Sequence, residues 1–322
     1  MLSADYRELE PQHLNDLAAR WAPGAQVVKL LGKVENLVWR VESPHGLFVL
    51  RLTEPTHRSE AALQAELNWL DHLVKLDLPV CRPLLSLAHV QIEKFEYKGQ
   101  ELLVSAFEWL EGVALDKNQK AWSIPVVQSL GKLAAKLHLQ GHSLPPELLA
   151  ARPVWQSNNL IDRAAELLPD DEWLLERLTT CRQTMASLPQ TRPHYGLIHG
   201  DIHIGNFLVL DQQVRLFDFD DCHLGWHAQD LALILYSALP LTGPTETFAD
   251  WFLQQMRTAY ITVRPWPELM SETLELFLHW RDLTLILFLK CRWPEQPPER
   301  QRAYLEQLRT RARSGKTLLD AV

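Results

Sequence analysis

The alternation of apolar and polar positions in the first hundred residues is typical of a small antiparallel sheet. Apolar runs separated by polar turns occupy Val27–Leu31, Leu37–Val41 and Leu47–Leu52. Short runs bounded by turn residues predict three antiparallel strands. Two further strand-like runs, near 84–92 and 102–107 with the polar stretch 93–100 between them, bring the predicted sheet to about five strands.

One long helix is predicted after the third strand. Behind the candidate cap Ser59, leucines recur at helical spacing at Leu63, Leu67, Leu70 and Leu73. A polar cap followed by apolar residues every three to four positions indicates an amphipathic helix. The first part of the chain is therefore a sheet with one helix.

Beyond residue 112 the pattern changes to amphipathic helices. They are predicted at 126–140, 160–168, 172–188, 228–239, 248–263, 269–290 and 300–319. One interruption, at 194–221, contains two short apolar runs around Asp211-Gln212 and predicts a hairpin of Phe207–Leu210 and Val214–Phe219.

These elements predict an α+β fold with two lobes. A chain of 322 residues exceeds the size at which a single core usually divides. The expected parts are a helical extension at 1–24, a β-rich lobe at 25–111 and a larger helical lobe at 112–322.

Composition excludes several classes of protein. With 32 basic and 40 acidic residues the formal charge is −8, which argues against a broad basic surface for nucleic acid. The apolar runs are too short to span a bilayer, and an acidic N-terminus does not resemble a secretory signal. Four cysteines without a CxxC pair indicate neither a zinc knuckle nor a disulfide framework. The chain is expected to be cytoplasmic, with no membrane or nucleic-acid partner.

Residues 199–221, HGDIHIGNFLVLDQQVRLFDFDD, carry the candidate chemistry. His199, Asp201 and Asn206 fit the pattern H-x-D-x4-N, and Asp218 follows after the predicted hairpin. In phosphoryl transfer, a loop Asp accepts the proton of the attacking hydroxyl, an Asn five residues later binds magnesium, and a second Asp chelates the metal on the phosphates. The spacing therefore predicts a kinase-type site.

With the upstream sheet and helix, this stretch resembles the aminoglycoside phosphotransferase-like branch of the protein-kinase superfamily. The resemblance covers about 27–293 and is carried by HGDIHIGNFLV, LFDFDDCHLGWHAQDLA and LGKLAAKLH. Within the branch the chain looks most similar to the bacterial stress response kinase A group. That likeness depends on the spacing from Asp218 to Gly225, on Gln229-Asp230-Leu231, and on a late helix from Arg281 to Arg292-Trp293 before Pro294.

The resemblance implies a bilobal protein-kinase-like fold with ATP in a cleft. It makes Asp201 the catalytic base and Asn206 and Asp218 the Mg²⁺ ligands. Arg51 stands where such kinases usually have a Lys that holds the phosphates, with Glu66 as its partner. Arginine keeps the charge but differs in shape from lysine.

Further site residues follow from the same resemblance. Gly32, Lys33 and Asn36 match a glycine-poor phosphate loop, and the hinge segment containing Glu108 and Leu110 is expected to bind adenine through its backbone. Supporting roles are expected for His199, which braces the catalytic loop, and for His203, Asp220 and Asp221. Asp230 opens an apolar helix and is interpreted as a favourable charge at a helix N-terminus.

The predicted function is ATP-dependent transfer of the γ-phosphate to an acceptor hydroxyl. The acceptor stays open between a small alcohol, amino alcohol or aminoglycoside-like molecule and protein Ser/Thr, since fold does not determine it. One alternative is a nucleotide-binding pseudokinase, suggested by Arg51 and the poor glycine loop. A remote alternative is a metal-dependent hydrolase that uses His199, Asp201, His203, Asp218, His223 and His227. The preference for ATP or GTP and the oligomeric state are left open.

Overall fold

The computed structural model describes residues 9–115, 122–142, 144–239 and 246–319. The chain divides into two compact units. The first holds the described residues up to Gly112 together with Pro145–Arg152 and Arg215–Asp220. The second holds the described parts of Val113–Leu144, Pro153–Val214 and the chain from Asp221 onward. The predicted boundaries after residues 24 and 111 stay a prediction.

The first unit is built on an antiparallel sheet. Its strands are β1 (Gln26–Gly32), β2 (Leu37–Ser43), β3 (Gly46–Thr53), β4 (Pro83–Leu84), β5 (Glu93–Tyr97) and β6 (Gln100–Glu108). The strand order is β1-β2-β3-β6-β4, and β5 also pairs with β6. Two helices accompany the sheet, α1 (Pro11–Ala18) and α2 (Glu60–Lys75). One face of the sheet packs with α1 through Leu14 and Leu17, which are buried beside Leu50 and Leu52.

The first three strands and the helix after them are confirmed. The Oγ atom of Ser59 accepts a hydrogen bond from the backbone N–H of Ala62, as expected of an N-cap. The four predicted leucines of α2 are buried. The cap and the apolar spacing together therefore located both ends of this helix within a residue or two.

The prediction of five strands is wrong, since the sheet has six. The run at 84–92 forms only the short β4, while the polar spacer contains β5. Among the described strands, β5 pairs only with β6. On one face of β5, Phe95 and Tyr97 pack against the core, while the charged residues that alternate with them point away from it. Its turn to β6, Lys98-Gly99, has positive φ at both residues, which is the geometry of a tight hairpin.

The second unit is mainly helical. It begins with α3 (Ile124–Gln140), and the next helix, α4 (Pro146–Ala151), belongs to the first unit. The second unit continues with α5 (Asn159–Asp162), α6 (Ala164–Leu167), α7 (Glu172–Ala186), α8 (His227–Ala238), α9 (Glu246–Tyr260), α10 (Met270–Arg292) and α11 (Glu299–Arg313). Helix α3 packs closely on α9. Gly131 lies at that crossing, where an added Cβ atom would collide with the backbone of Met256.

Four short strands frame the candidate motif: β7 (Tyr195–Ile198), β8 (Phe207–Leu210), β9 (Gln213–Leu216) and β10 (His223–Trp226). Strands β7 and β10 pair antiparallel, and β8 and β9 form the predicted hairpin around Asp211-Gln212. The second hairpin strand ends at Leu216 rather than at Phe219. The chain passes from the second unit to the first within β9.

The remaining helix predictions hold with small changes. The helix expected at 160–168 is divided into α5 and α6, and α4 and the β7–β10 pair were not predicted. In the described part of the chain, no helix combines the length and the apolar character needed to cross a membrane.

Candidate active site

The loop between β7 and β8 holds Asp201 in a fixed position. One carboxylate oxygen, Oδ1, lies 3.1 Å from Nη2 of Arg281, and the other, Oδ2, lies 3.3 Å from Nε2 of His203. The amide nitrogen of Asn206 donates to the backbone oxygen of Asp201 at 3.0 Å and to its Oδ2 at 3.2 Å. The structure therefore brings Asp201, His203 and Asn206 together, and adds Arg281 from α10.

Asp201 is ionised in this surrounding. Burial alone would raise the pKa of its carboxyl, but the charge of Arg281 and the hydrogen bond from His203 outweigh burial and hold the pKa well below its ordinary value. An ionised carboxylate is ready to accept a hydrogen bond from a hydroxyl group.

Asp230 of α8 fixes the start of this loop. Its carboxylate accepts hydrogen bonds from the backbone N–H of His199 at 3.0 Å and of Gly200 at 2.8 Å. It also lies 3.1 Å from Nε2 of His138. Asp230 lies in the first turn of α8, as predicted, and its fully buried side chain has the further role of a brace.

A buried chain of polar groups supports Asp230. Burial, with the charges of Arg264 and His142, lowers the pKa of His138 well below its ordinary value, so the ring is neutral. Its Nδ1 lies 2.9 Å from the hydroxyl of Tyr260. A neutral ring between a carboxylate and a hydroxyl donates from Nε2 to Asp230 and accepts at Nδ1 from Tyr260. No sequence pattern had identified His138 or Tyr260, although His138 lies in the quoted LGKLAAKLH segment.

Gly200 is required by the loop geometry. Its φ is +82°, and an added Cβ atom would lie 2.5 Å from the backbone oxygen of Asp221. That oxygen also lies 2.8 Å from Nδ1 of His223. Asp221 therefore contributes a backbone contact at the loop.

The two loop histidines brace the backbone, a role that the sequence had suggested for His199. Nδ1 of buried His199 accepts from the backbone N–H of Asp201 at 3.3 Å, and Nδ1 of His203 accepts from that of Gly205 at 2.9 Å. With its Nδ1 accepting, His203 presents an Nε2–H donor to Asp201. Their catalytic importance stays a prediction.

In the first unit, Arg51 and Glu66 form a buried ion pair. Nη1 and Nη2 of Arg51 donate to the two carboxylate oxygens of Glu66 at 2.8 and 3.0 Å. The guanidinium also lies 4.7 Å from the ring centroid of Phe107. Burial would lower the pKa of Arg51, but the charge and hydrogen bonds of Glu66 raise it above its ordinary value. Among its polar atoms, Nε has no hydrogen-bond partner in the described part of the chain.

Asp218 and Asp220 have different surroundings. Asp218 is exposed and has φ of +64°, an unusual backbone conformation that is concentrated at functional sites. Asp220 is buried, with Oδ2 2.6 Å from Nε2 of His57 and Oδ1 3.4 Å from Nε of Arg58. These contacts anchor the loop that carries Asp220.

The phosphate-loop candidates are less clearly organised. Asn36 is buried, and its side-chain oxygen accepts from the hydroxyl of Thr53 at 2.7 Å. An added Cβ atom at Gly32 would make only an ordinary contact with Val38. Lys33 is exposed. Sterics therefore do not demand glycine at position 32.

At the expected hinge, one backbone group is already occupied. The N–H of Glu108 donates to the backbone oxygen of Arg82 at 2.8 Å, and the side chain of Glu108 is exposed. Leu110 is half-buried. Adenine binding through this segment stays a prediction, with the N–H of Glu108 unavailable for it.

The donor atoms suit a hard metal ion. The amide nitrogen of Asn206 is used on Asp201, so Oδ1 is the side-chain atom that can serve as a metal ligand. Amide and carboxylate oxygens, as in Asn206 and Asp218, are the ligands that Mg²⁺ prefers.

The hydrolase alternative is not favoured, because its residues are engaged elsewhere. Buried His227 stacks on His138 at 4.6 Å between ring centroids, and Nδ1 of His223 points to a backbone oxygen. In the described part of the chain, the His, Cys, Asp and Glu side chains form one group with metal-ligand spacing, Glu35, His57 and Asp220. That group shares no residue with the predicted hydrolase set.

Comparison with known proteins identifies the family. The profile of the phosphotransferase enzyme family (APH) matches residues 26–266, which is most of the chain. Amicoumacin kinase of Bacillus subtilis (strain 168) is 26% identical over 237 residues, covering 71% of this chain and 68% of the relative.

Solved structures show the same fold. The amicoumacin kinase hAmiN, in complex with AMP-PNP, Ca²⁺ and Ami, superimposes with a TM-score of 0.89 at 21% identity, covering 100% of this chain and 98% of the other. A microcompartment-associated aminopropanol kinase superimposes with a TM-score of 0.76 at 18% identity, covering 96% of this chain and 100% of the other.

These findings confirm the protein-kinase-like fold and the expectation of an enzyme that transfers a phosphoryl group to a hydroxyl. A protein Ser/Thr acceptor, implied by the likeness to stress response kinase A, has no support from these relatives. The matched residues include the loop with Asp201, its brace Asp230 and the Arg51–Glu66 pair. The chain belongs to the phosphotransferase enzyme family.

Proposed function

We propose that this protein transfers the γ-phosphoryl group of ATP to a hydroxyl group of a small molecule. The observation that carries the proposal is the ionised carboxylate of Asp201, held on a loop that Asp230 and Asn206 fix from both ends. A fixed carboxylate beside an acceptor hydroxyl is the central requirement of phosphoryl transfer in this superfamily.

Asp201 orients the acceptor and takes its proton. Because the low pKa of its carboxyl makes it a weak base, the hydroxyl first donates a hydrogen bond to Asp201. Its oxygen then forms the bond to phosphorus while the bond from phosphorus to ADP breaks. The proton passes to Asp201 as charge leaves the acceptor oxygen, and ADP takes the electron pair of the broken bond.

Arg51 is proposed to hold the nucleotide phosphates. Glu66 takes one hydrogen bond from each terminal nitrogen, so the guanidinium plane is fixed. The remaining N–H groups, including the buried Nε, are the donors that we propose for phosphate. A permanent charge pinned in this way loses little side-chain entropy on binding. The arginine is therefore compatible with activity.

Mg²⁺ is the metal that the oxygen donors fit, with Asn206 and Asp218 as the residues that would hold it. When bound, it would neutralise charge on the phosphates.

A small acceptor is favoured over a protein. Amicoumacin kinase and aminopropanol kinase are named for small molecules. The negative charge of the chain also suits an acceptor with an amino group. We propose an amino alcohol or aminoglycoside-like compound as the class of acceptor.

An ADP-release assay tests this function. The purified protein is incubated with ATP, Mg²⁺ and a panel of amino alcohols, sugars, aminoglycosides and amicoumacin-type compounds. At least one acceptor is expected to stimulate ADP release, and Asp201→Asn is expected to abolish it. The matched control is Asp211→Asn, the same change at an exposed turn position.

Two other outcomes have clear meanings. Labelling of the protein itself by γ-labelled ATP without an acceptor would favour a protein kinase. Nucleotide binding without ATP consumption under any condition would contradict the proposal and favour the pseudokinase alternative.

A further inference from the structure

The catalytic loop itself contains no cation that could stabilise the transferred phosphoryl group. Residues 199–206, HGDIHIGN, include neither Lys nor Arg. Negative charge on the phosphoryl oxygens must nevertheless be balanced for transfer to be fast, and arginine is well suited to this because it donates two parallel hydrogen bonds. Arg281 is the arginine that the structure places beside Asp201.

The two oxygens of Asp201 are not equivalent. Oδ2 faces both His203 and Asn206. Oδ1 lies 3.1 Å from Nη2 of Arg281, but this ion pair lacks the alignment of a hydrogen bond. Oδ1 is buried in this arrangement, and an incoming hydroxyl reaches it once the head group of Arg281 turns away.

A hydroxyl bound at Oδ1 comes next to Arg281. An acceptor oxygen at hydrogen-bond distance from Oδ1 lies within about one further hydrogen bond of the guanidinium. The phosphoryl group that joins this oxygen is then within reach of Arg281 as well. The geometry thus places a positive charge where the phosphoryl group arrives.

Neighbouring contacts hold the backbone of α10 at Arg281 in place, while the guanidinium group of Arg281 is partly exposed. The neighbouring Asp282 is buried, accepts from Nε of Arg311 at 2.8 Å and accepts from the hydroxyl of Tyr236 at 2.6 Å. These contacts anchor α10 to α11 and α8. The side chain of Arg281 is 29% exposed, which leaves room for its head group to turn from Asp201 to a ligand.

We propose that Arg281 is a catalytic residue that donates hydrogen bonds to a non-bridging oxygen of the phosphoryl group during transfer. The inference rests on the proposed function. Asp201 receives the hydroxyl proton at Oδ1, the acceptor oxygen bonds to phosphorus, and the bond to ADP breaks with its electrons left on ADP. Arg281 only donates hydrogen bonds in this step and transfers no proton.

The test measures binding of a transition-state mimic, so no acceptor need be known. Calorimetry compares ADP–Mg²⁺ with ADP–Mg²⁺–aluminium fluoride for the unmodified protein, R281Q, R281K and R292Q. Arg292 is the matched control, since it lies on the same helix with its guanidinium over Phe288. Melting curves establish that each variant is folded.

The unmodified protein and R292Q are expected to bind the fluoride complex more tightly than ADP alone. In R281Q this preference falls by about 10²–10³-fold, as for removal of an electrostatic catalytic donor, while ADP affinity is unchanged. R281K is expected to retain part of it. Unchanged preference in R281Q, or no preference in the unmodified protein, overturns the inference.

Kinetics with an identified acceptor separate the remaining possibilities. A fall in kcat in R281Q, with little change in KM for ATP, supports a role of Arg281 in stabilising the phosphoryl group during transfer. A raised KM for the acceptor, with kcat and the fluoride preference retained, means that Arg281 binds the acceptor and overturns the inference. Full activity in Asp201→Asn would instead refute the proposed function, so the two failures are distinguishable.

Discussion

The carboxylate of Asp230 accepts a hydrogen bond from the backbone N–H of Gly200 at 2.8 Å, and this contact ties the catalytic loop to α8. The same carboxylate holds His199 and is itself held by His138. The position of Asp201 therefore depends on a buried residue outside the loop.

Asp230→Asn tests this dependence. An amide oxygen replaces two charged acceptors, and hydrogen bonds to charged groups contribute about 1.5–3 kcal/mol each. We expect the free energy of unfolding in denaturant to fall by about 2 kcal/mol, and kcat to fall with it. Asp250→Asn, on the exposed surface of α9, is the control and should leave both unchanged. Equal stability of the two variants would contradict the role of Asp230.

Glu66→Gln tests the buried ion pair of the first unit. Removing one partner leaves Arg51 charged and buried, and such changes cost about 3–5 kcal/mol. We expect a marked loss of thermal stability and a raised KM for ATP. Glu60→Gln, an exposed change on the same helix, should have little effect. Wild-type KM for ATP in a folded Glu66→Gln protein would show that the pair does not serve the nucleotide.

Gly200→Ala has two costs: the strain of a positive φ at an alanine, and the collision of the added Cβ atom with neighbouring atoms. The positive φ alone costs an alanine about 1–2 kcal/mol. At Gly99, where φ is +78° and no atom lies within 4 Å of the added Cβ, Gly99→Ala should show this cost alone. At Gly200 the Cβ atom also meets Asp221, so we expect a larger loss of stability together with loss of activity. Chemical denaturation and initial rates measure the two effects.

The buried histidines predict how stability depends on pH. Burial lowers the pKa of His138 and of His227 in the folded state, with neighbouring charges adding to the effect. Their contribution is therefore complete above the unfolded pKa of about 6.5 and is lost as the pH falls below it, because only the unfolded chain then binds the protons. The melting temperature should decline between pH 7 and pH 5.

His138→Gln is the corresponding variant. Glutamine can still donate to Asp230 and accept from Tyr260 but does not titrate. The decline below pH 6.5 should become shallower in this protein, even if its stability at pH 7.5 is lower. A slope identical to that of the unmodified protein would exclude His138 as a contributor.

Sequence reasoning succeeded where the pattern was local. Ser59 and the leucines of α2 predicted a helix because a cap and a periodic face are properties of adjacent residues. The strand β5 was missed because an edge strand with one solvated face looks like a polar loop. The bracing contacts of Asp230 and the place of Arg281 beside Asp201 were missed for a different reason: they join the loop to residues distant in the chain, which no spacing reveals.

The anchoring of α10 by Asp282 and Arg311 places the proposed cation outside the span that defines the family. The family profile matches residues 26–266, whereas Arg281 and its anchors lie beyond residue 266. Under the role proposed for Arg281, a substitution in the C-terminal helices would change the rate of transfer while the loop that carries Asp201 stays unchanged.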